Sequence, residues 1–149
     1  MNIREGNLSD IEELLKLGSR VEEFKTAEEV VTFWPRHILE NILGNNRDII
    51  LVAEDDNKIV GFTIVNYSPS FKKALVENLF VDPKHRNKGI GSRLIKTLLR
   101  HLQRVGCEYV CTLIEASSGA VPFYLKMGFN RGIDCAWLDK VLSDSFKRH

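Results

Sequence analysis

The chain has 149 residues and a formal net charge of +1, from 21 basic and 20 acidic residues, so it suits one domain and carries no bulk charge to attract nucleic acid or a membrane surface. Cys107, Cys111 and Cys135 are odd in number and lack CxxC spacing, which argues against a disulfide framework or a zinc site and reads as buried thiols. No signal-peptide pattern stands at the N-terminus and no apolar run approaches the roughly 20 residues of a bilayer span, so a cytoplasmic protein is expected.

In chain order, residues 2–5 read as an opening strand. Ser9 and Glu12 have capping-box spacing ahead of the apolar stripe Ile11, Leu14, Leu15, which predicts a helix ending near Gly18. Thr26 and Glu29 repeat that device for a second helical stretch to about Leu43, which Pro35 must kink or split at Trp34. Residues 49–54 and 59–67 read as strands around the turn Asp55-Asp56-Asn57-Lys58, and residues 73–81 as a third strand. Leu94, Leu98, Leu102 and Val105 recur at helical spacing until Gly106, and a largely apolar strand follows over residues 109–114. Strand, helix and strand in that order predict a βαβ crossover with parallel partners. Residues 133–149 suit a last strand around Cys135–Leu138 and a short helix, or a homodimer contact.

The segment between the third strand and the long helix, Arg86-Asn87-Lys88-Gly89-Ile90-Gly91, asks for an anion. A helix N-terminus leaves backbone N–H groups unpaired, glycines let a ligand approach the backbone closely, and two cations raise the local potential. A P-loop would need Gly-Lys-Ser/Thr where Gly91 is followed by Ser92 and Arg93. A dinucleotide fingerprint would need a third glycine where Leu94 stands. The pattern Arg/Gln-x-x-Gly-x-Gly/Ala is instead that of the GNAT superfamily of acyl-CoA N-acyltransferases. Residues 120–129 are similar to that family's second signature, a helix with Ala-x-x-x-Tyr closed by Gly128-Phe129. By itself this segment would mean only core packing and a helix cap. Both motifs in family order make the resemblance specific, and it spans residues 3–129.

The resemblance implies one acetyltransferase domain over residues 1–149, of mixed α/β class, with a twisted sheet of six or seven strands and helices on both faces. It implies acetyl-CoA as co-substrate and an amine as acceptor. The diphosphate would lie on Arg86, Asn87, Lys88, Gly89, Ile90, Gly91 and Ser92. The pantetheine arm would lie between diverging strands, against the backbone of Leu79, Phe80 and Val81. Ser117 stands where the family often has an asparagine that holds the cofactor. Tyr124 resembles the tyrosine that stabilises the departing thiolate. Its ordinary pKa of about 10 lies above a thiol's of about 8.5, so it suits a hydrogen-bond donor better than a full proton donor.

A lysine-like amine of pKa about 10.4 costs roughly 4.6 kcal/mol to deprotonate at neutral pH, an α-amine only about 1. Glu77 shares strand parity with Leu79 and Val81 and is the expected base, although in the histone-acetylating members of the family the base carboxylate stands about two positions earlier, at Leu75 here; Glu115 is the reserve. For both, a solvated or ion-paired carboxylate is the structural alternative.

Arg93, Lys96, Arg100 and Arg104 share one helical face that reads as a wet surface. His85 reads as an exposed turn residue, and His37, His101 and His149 lack metal-ligand spacing. Phe33 and Trp34 suit either core or an acceptor-pocket wall. The alternatives to an acetyltransferase are a noncatalytic acyl-CoA-binding module on the same fold and a nucleic-acid adaptor using the basic helix, which the charge balance disfavours.

Overall fold

Two residues with positive φ, Asp56 at 48° and Asn57 at 62°, turn the chain between Ile49–Asp55 (β2) and Lys58–Ser68 (β3). Short polar residues tolerate that conformation, and its twist matches that of the paired strands. This computed structural model describes residues 1–149. Asn2–Glu5 (β1) pairs antiparallel with β2, and Lys73–Val81 (β4) pairs antiparallel with β3. Ile90–Arg104 (α3) then carries the chain to Tyr109–Thr112 (β5), which lies parallel to β4 as the βαβ pattern predicts. The sheet has the order β1-β2-β3-β4-β5.

These elements fall in one compact unit, residues 1–7 with 42–114. Its core is the apolar run of β2 and β3 with the stripe Ile90, Leu94, Ile95, Leu98 and Leu102 of α3, all buried. Gly61 on β3 faces that helix: an added Cβ would stand 2.8 Å from Phe80 O and about 3.5 Å from Leu94 and Ile90. Tyr67, also on β3, reaches the helix end, its hydroxyl donating to Val105 O at 3.2 Å.

A second compact unit contains residues 8–41 and 115–149. Ile11–Gly18 (α1) starts one residue later than the capping box implies, after a 3₁₀ turn at Leu8–Asp10, with Asp10 rather than Ser9 at its N-cap position. The long second helix expected from Thr26 does not form. Only Arg36–Leu43 (α2) is helical, because Pro35 cannot donate and disfavours helical backbone at Trp34; its carbonyl accepts from Ile38 and Leu39 N–H. Phe33 is buried, stacks on Phe24 and fills the space a Cβ at Gly18 would take, so it is core; half-buried Trp34 meets Phe146 edge-on. Ala120–Lys126 (α4) is the fourth helix.

The tail departs from expectation. Cys135–Leu138 is not a strand, and the predicted short helix is a 3₁₀ turn at Asp144–Phe146, so the sheet has five strands rather than six or seven. Polar residues break the apolar alternation here and are tied locally, Arg131 to Asp134 and Trp137 Nε1 to Asp139. Ile133, Leu138 and Leu142 are about 90% exposed. The thiols are also less buried than composition suggests: Cys107 and Cys111 are half-buried and Cys135 is exposed. No helix is long and apolar enough to cross a membrane.

Candidate functional site

The turn over residues 86–91 forms where the residue types call for it. After β4, Pro83–His85 makes a 3₁₀ turn capped by Asp82, whose carboxylate accepts from Lys84 N–H at 2.9 Å. Asn87 (φ 63°) and Gly89 (φ 78°) then take left-handed backbone and reverse the chain into α3. Glycine adopts that conformation without strain, and at Gly89 a Cβ would meet nothing within 4 Å. The first bond of α3 runs from Arg93 N–H to Gly89 O, so the amides of residues 89–92 precede the helical ladder. Arg86 Nε donates to Val81 O at 3.0 Å, tying the loop to the end of β4. Arg86 and Lys88 are exposed and lend positive potential. His85 is half-buried rather than fully exposed; its Nδ1 lies 3.8 Å from the Asp82 carboxylate and makes no hydrogen bond.

Beside the loop, the sheet opens. β4 and β5 pair only from Lys73↔Tyr109 to Val76↔Thr112, and β4 runs on for five residues to Val81. Thr112 Oγ1 donates to Val76 O at 3.0 Å and closes the ladder at that point. Residues 77–81, which include Leu79, Phe80 and Val81, therefore run past the end of β5. β5 ends two residues earlier than predicted, and this shortening creates the gap.

Glu77 occupies an irregularity that the sequence concealed. Opposite it the register jumps, Ile64 pairing with Asn78 but Val65 with Val76, so Glu77 is the extra residue of a β-bulge on β4. Strict alternation would group Glu77 with Leu79 and Val81, but the bulge reverses the alternation. Val81 pairs with Gly61 and Leu79 with Thr63, on the α3 side, whereas Leu75 pairs with Asn66 and Phe80 with Phe62 on the side away from α3. The parity argument for Glu77 thus fails, although its place beside the strand gap stands. Glu77 is exposed, but the protein crowding its carboxyl displaces part of its water and raises its pKa above the ordinary value, with the negative charge of Asp48 adding to the rise.

In the other unit, α4 holds Tyr124. Gly128 (φ 92°) ends the helix: its N–H bonds Leu125 O and the Phe129 N–H bonds Tyr124 O at 3.0 Å, while the Phe129 ring packs edge-on against Tyr124 at 5.1 Å. This is a Schellman termination with its hydrophobic contact, so the Tyr-x-x-x-Gly-Phe spacing is what fixes the buried Tyr124 ring. Ser117 and Glu115 are exposed and bonded to each other, Ser117 Oγ donating to Glu115 Oε1 at 3.0 Å. The glycine loop, the overhanging end of β4 and Glu77 are thus grouped in the first unit, with Tyr124, Ser117 and Glu115 in the second.

Comparison with known proteins gives this arrangement a family. Residues 10–129 match the sequence profile of the Acetyltransferase (GNAT) family. The chain is 30% identical to an acetyltransferase of Pectobacterium atrosepticum over 127 residues, covering 77% of this chain and 88% of that protein. It is 29% identical to an uncharacterized N-acetyltransferase of Methanocaldococcus jannaschii, covering 72% of this chain but only 51% of that longer protein. Among solved structures, the ribosomal-protein-S18-alanine N-acetyltransferase of Escherichia coli superposes with a TM-score of 0.72 at 20% identity, covering 89% of this chain and 79% of that one. A predicted acetyltransferase of Clostridium acetobutylicum, solved with acetyl-CoA, gives 0.76 at 22% identity, covering 93% and 95%. With a profile match over most of its length and both signature segments in order, the chain belongs to the acetyltransferase (GNAT) family of acyltransferases.

Proposed function

We propose that the protein transfers an acetyl group from acetyl-CoA to a primary amine by direct attack, as one cytoplasmic domain over residues 1–149. The observation that carries this reading is the coincidence, at one end of β4, of four amides ahead of the α3 ladder with a stretch of strand that runs past the end of β5. The amides of residues 89–92, with Arg86 and Lys88, suit a diphosphate; hydrogen bonds to a charged group are each worth roughly 1.5–3 kcal/mol. The edge at Leu79, Phe80 and Val81 suits the amides of an extended pantetheine arm. The single-domain reading is supported by the chain order, since both units draw on early and late parts of the sequence.

In the proposed reaction Glu77 accepts a proton from the acceptor ammonium, directly or through a water. The freed nitrogen attacks the thioester carbonyl carbon and the C–N bond forms; as the C–S bond breaks and the thiolate departs, the nitrogen gives up its second proton to solvent, leaving the neutral amide. Tyr124, assigned on its motif, donates a hydrogen bond to that thiolate. Ser117, also assigned by position, holds the cofactor through its hydroxyl.

The test is thiol release from acetyl-CoA across a panel of amines, with binding of acetyl-CoA followed separately by calorimetry. Binding with amine-dependent thiol release is the expected result. Binding without release from any amine would favour a noncatalytic acyl-CoA-binding module, and no heat with acetyl-CoA or CoA would overturn the site.

A further inference from the structure

Charge is spread along this chain far less evenly than a net +1 implies. Between Asp82 and Glu108 stand seven of its 21 basic residues and none of its 20 acidic ones, which leaves 14 basic against 20 acidic residues for the rest. All seven cations are exposed. None of them is in an ion pair, whereas Arg4, Lys25, Arg36, Lys72, Arg131 and Lys147 elsewhere each have a carboxylate partner. The segment that holds this uncompensated charge is the glycine loop and the helix that leaves it.

Four of the seven, Arg93, Lys96, Arg100 and Arg104, lie on α3 and stay exposed while the stripe Leu94, Ile95, Leu98 and Leu102 is buried. Two of them reach back towards the loop to neutral acceptors: Arg100 Nη2 donates to Thr97 Oγ1 and Arg104 Nε to Arg100 O, each at 3.4 Å. Helix stability does not account for the pattern. Lys96, Arg100 and Arg104 stand four apart, a spacing at which like charges destabilise a helix, and the cations ahead of its first turn oppose its dipole. No acidic residue of α3 offsets either effect. A face that served only to be wetted would hold better with glutamates between its cations.

We propose that this face is an electrostatic track that steers the polyanionic cofactor into the glycine loop. The inference rests on the reading of that loop as a coenzyme A site. Coenzyme A carries three phosphate groups and a charge of about −3.5 to −4 at neutral pH. Measured along the helix axis from Gly89, Lys96 lies about 10 Å away and Arg104 about 22 Å. The screening length is about 8 Å in 0.15 M salt and about 30 Å in 0.01 M. Lys96 therefore acts on an approaching cofactor at either concentration, and Arg104 only when salt is low. A charge that works at such range speeds arrival and leaves the residence time of the bound cofactor unaltered.

The test is stopped-flow association of ethenoadenosine coenzyme A, a fluorescent form of the cofactor, with the full chain at both salt concentrations. Lys96→Gln should slow association about twofold in 0.15 M salt and several-fold in 0.01 M salt. Arg104→Gln should slow it about twofold in 0.01 M salt and leave it unchanged in 0.15 M. Dissociation rates of both variants should equal the parent's. Lys96→Arg restores the charge and should recover the parental rate, and the etheno form of dephospho-coenzyme A, poorer by roughly two charges, should respond less. Association of Lys96→Gln at the parental rate in 0.01 M salt overturns the inference. A loss carried by faster dissociation overturns it too, since Lys96 would then be a direct ligand of the nucleotide. No binding of the fluorescent cofactor to the parent chain would overturn the loop as a coenzyme A site, and the steering with it.

Discussion

Two side chains separate binding from chemistry at the scale of single residues. Tyr124 is placed by the end of its own helix, so Tyr124→Phe keeps the ring packing and removes only the hydroxyl. The expected result is a kcat reduced by about a hundredfold with acetyl-CoA affinity unchanged by calorimetry; an unchanged kcat would make the residue a packing element alone. Glu77 offers a stability readout that needs no substrate. Its folded-state pKa is raised, so the protonated form is favoured by folding below the ordinary carboxyl pKa, and that advantage is lost as pH rises through the folded value. Glu77→Gln, which cannot ionise, should gain thermal stability relative to the parent between about pH 4 and pH 7, and a melting series across that window checks the sign. Much at this scale was legible: the spacing of Tyr124, Gly128 and Phe129 encodes a helix termination that geometry alone explains. The bulge at Glu77 was not, because a register jump exists only relative to a partner strand, and nothing in Val76-Glu77-Asn78 announces it.

Among elements, the loop between β4 and α3 concentrates the testable physics. Gly89→Ala forces a Cβ into left-handed backbone, which costs about 1–2 kcal/mol, without any clash, since the space there is open. A drop in melting temperature of several degrees with weakened acetyl-CoA binding is expected; weakened stability with unaltered binding would separate the turn from the ligand. The strong elements were readable because their signals agree: α3 has an apolar stripe, a glycine start and a glycine stop, and β2–β3 has both alternation and a turn. The first helices misled for a physical reason. Capping-box residues recur wherever Ser or Thr precedes Glu by three, and at Thr26 no continuous helix follows because Pro35 interrupts it.

For the whole molecule, the sequence carried the family in its middle and lost its grip on the tail. Residues 10–129 match the family profile, whereas residues 130–142 lie in neither helix nor strand and leave Ile133, Leu138 and Leu142 exposed. Apolar residues at strand-like spacing specify a strand only when a partner edge takes their hydrogen bonds. Limited proteolysis should therefore cut first within residues 130–142, ahead of the isolated bridge that pairs Lys147 with Val30. Early cleavage in the β2–β3 turn instead would show the tail to be the better protected segment.

The overhang of β4 beyond β5 has a consequence for measurement. Backbone groups of β4 on that edge have no β5 residue beside them past Val76, and an occupant that bonds them adds its binding free energy to the folded state by mass action. At a hundred times its dissociation constant such a ligand contributes about 2.7 kcal/mol, which for a chain of this size raises the melting temperature by roughly 5–10 °C. Occupancy of the cleft can therefore be followed by heating alone, and a screen of thioesters or their truncated arms needs neither a known acceptor nor a turnover assay.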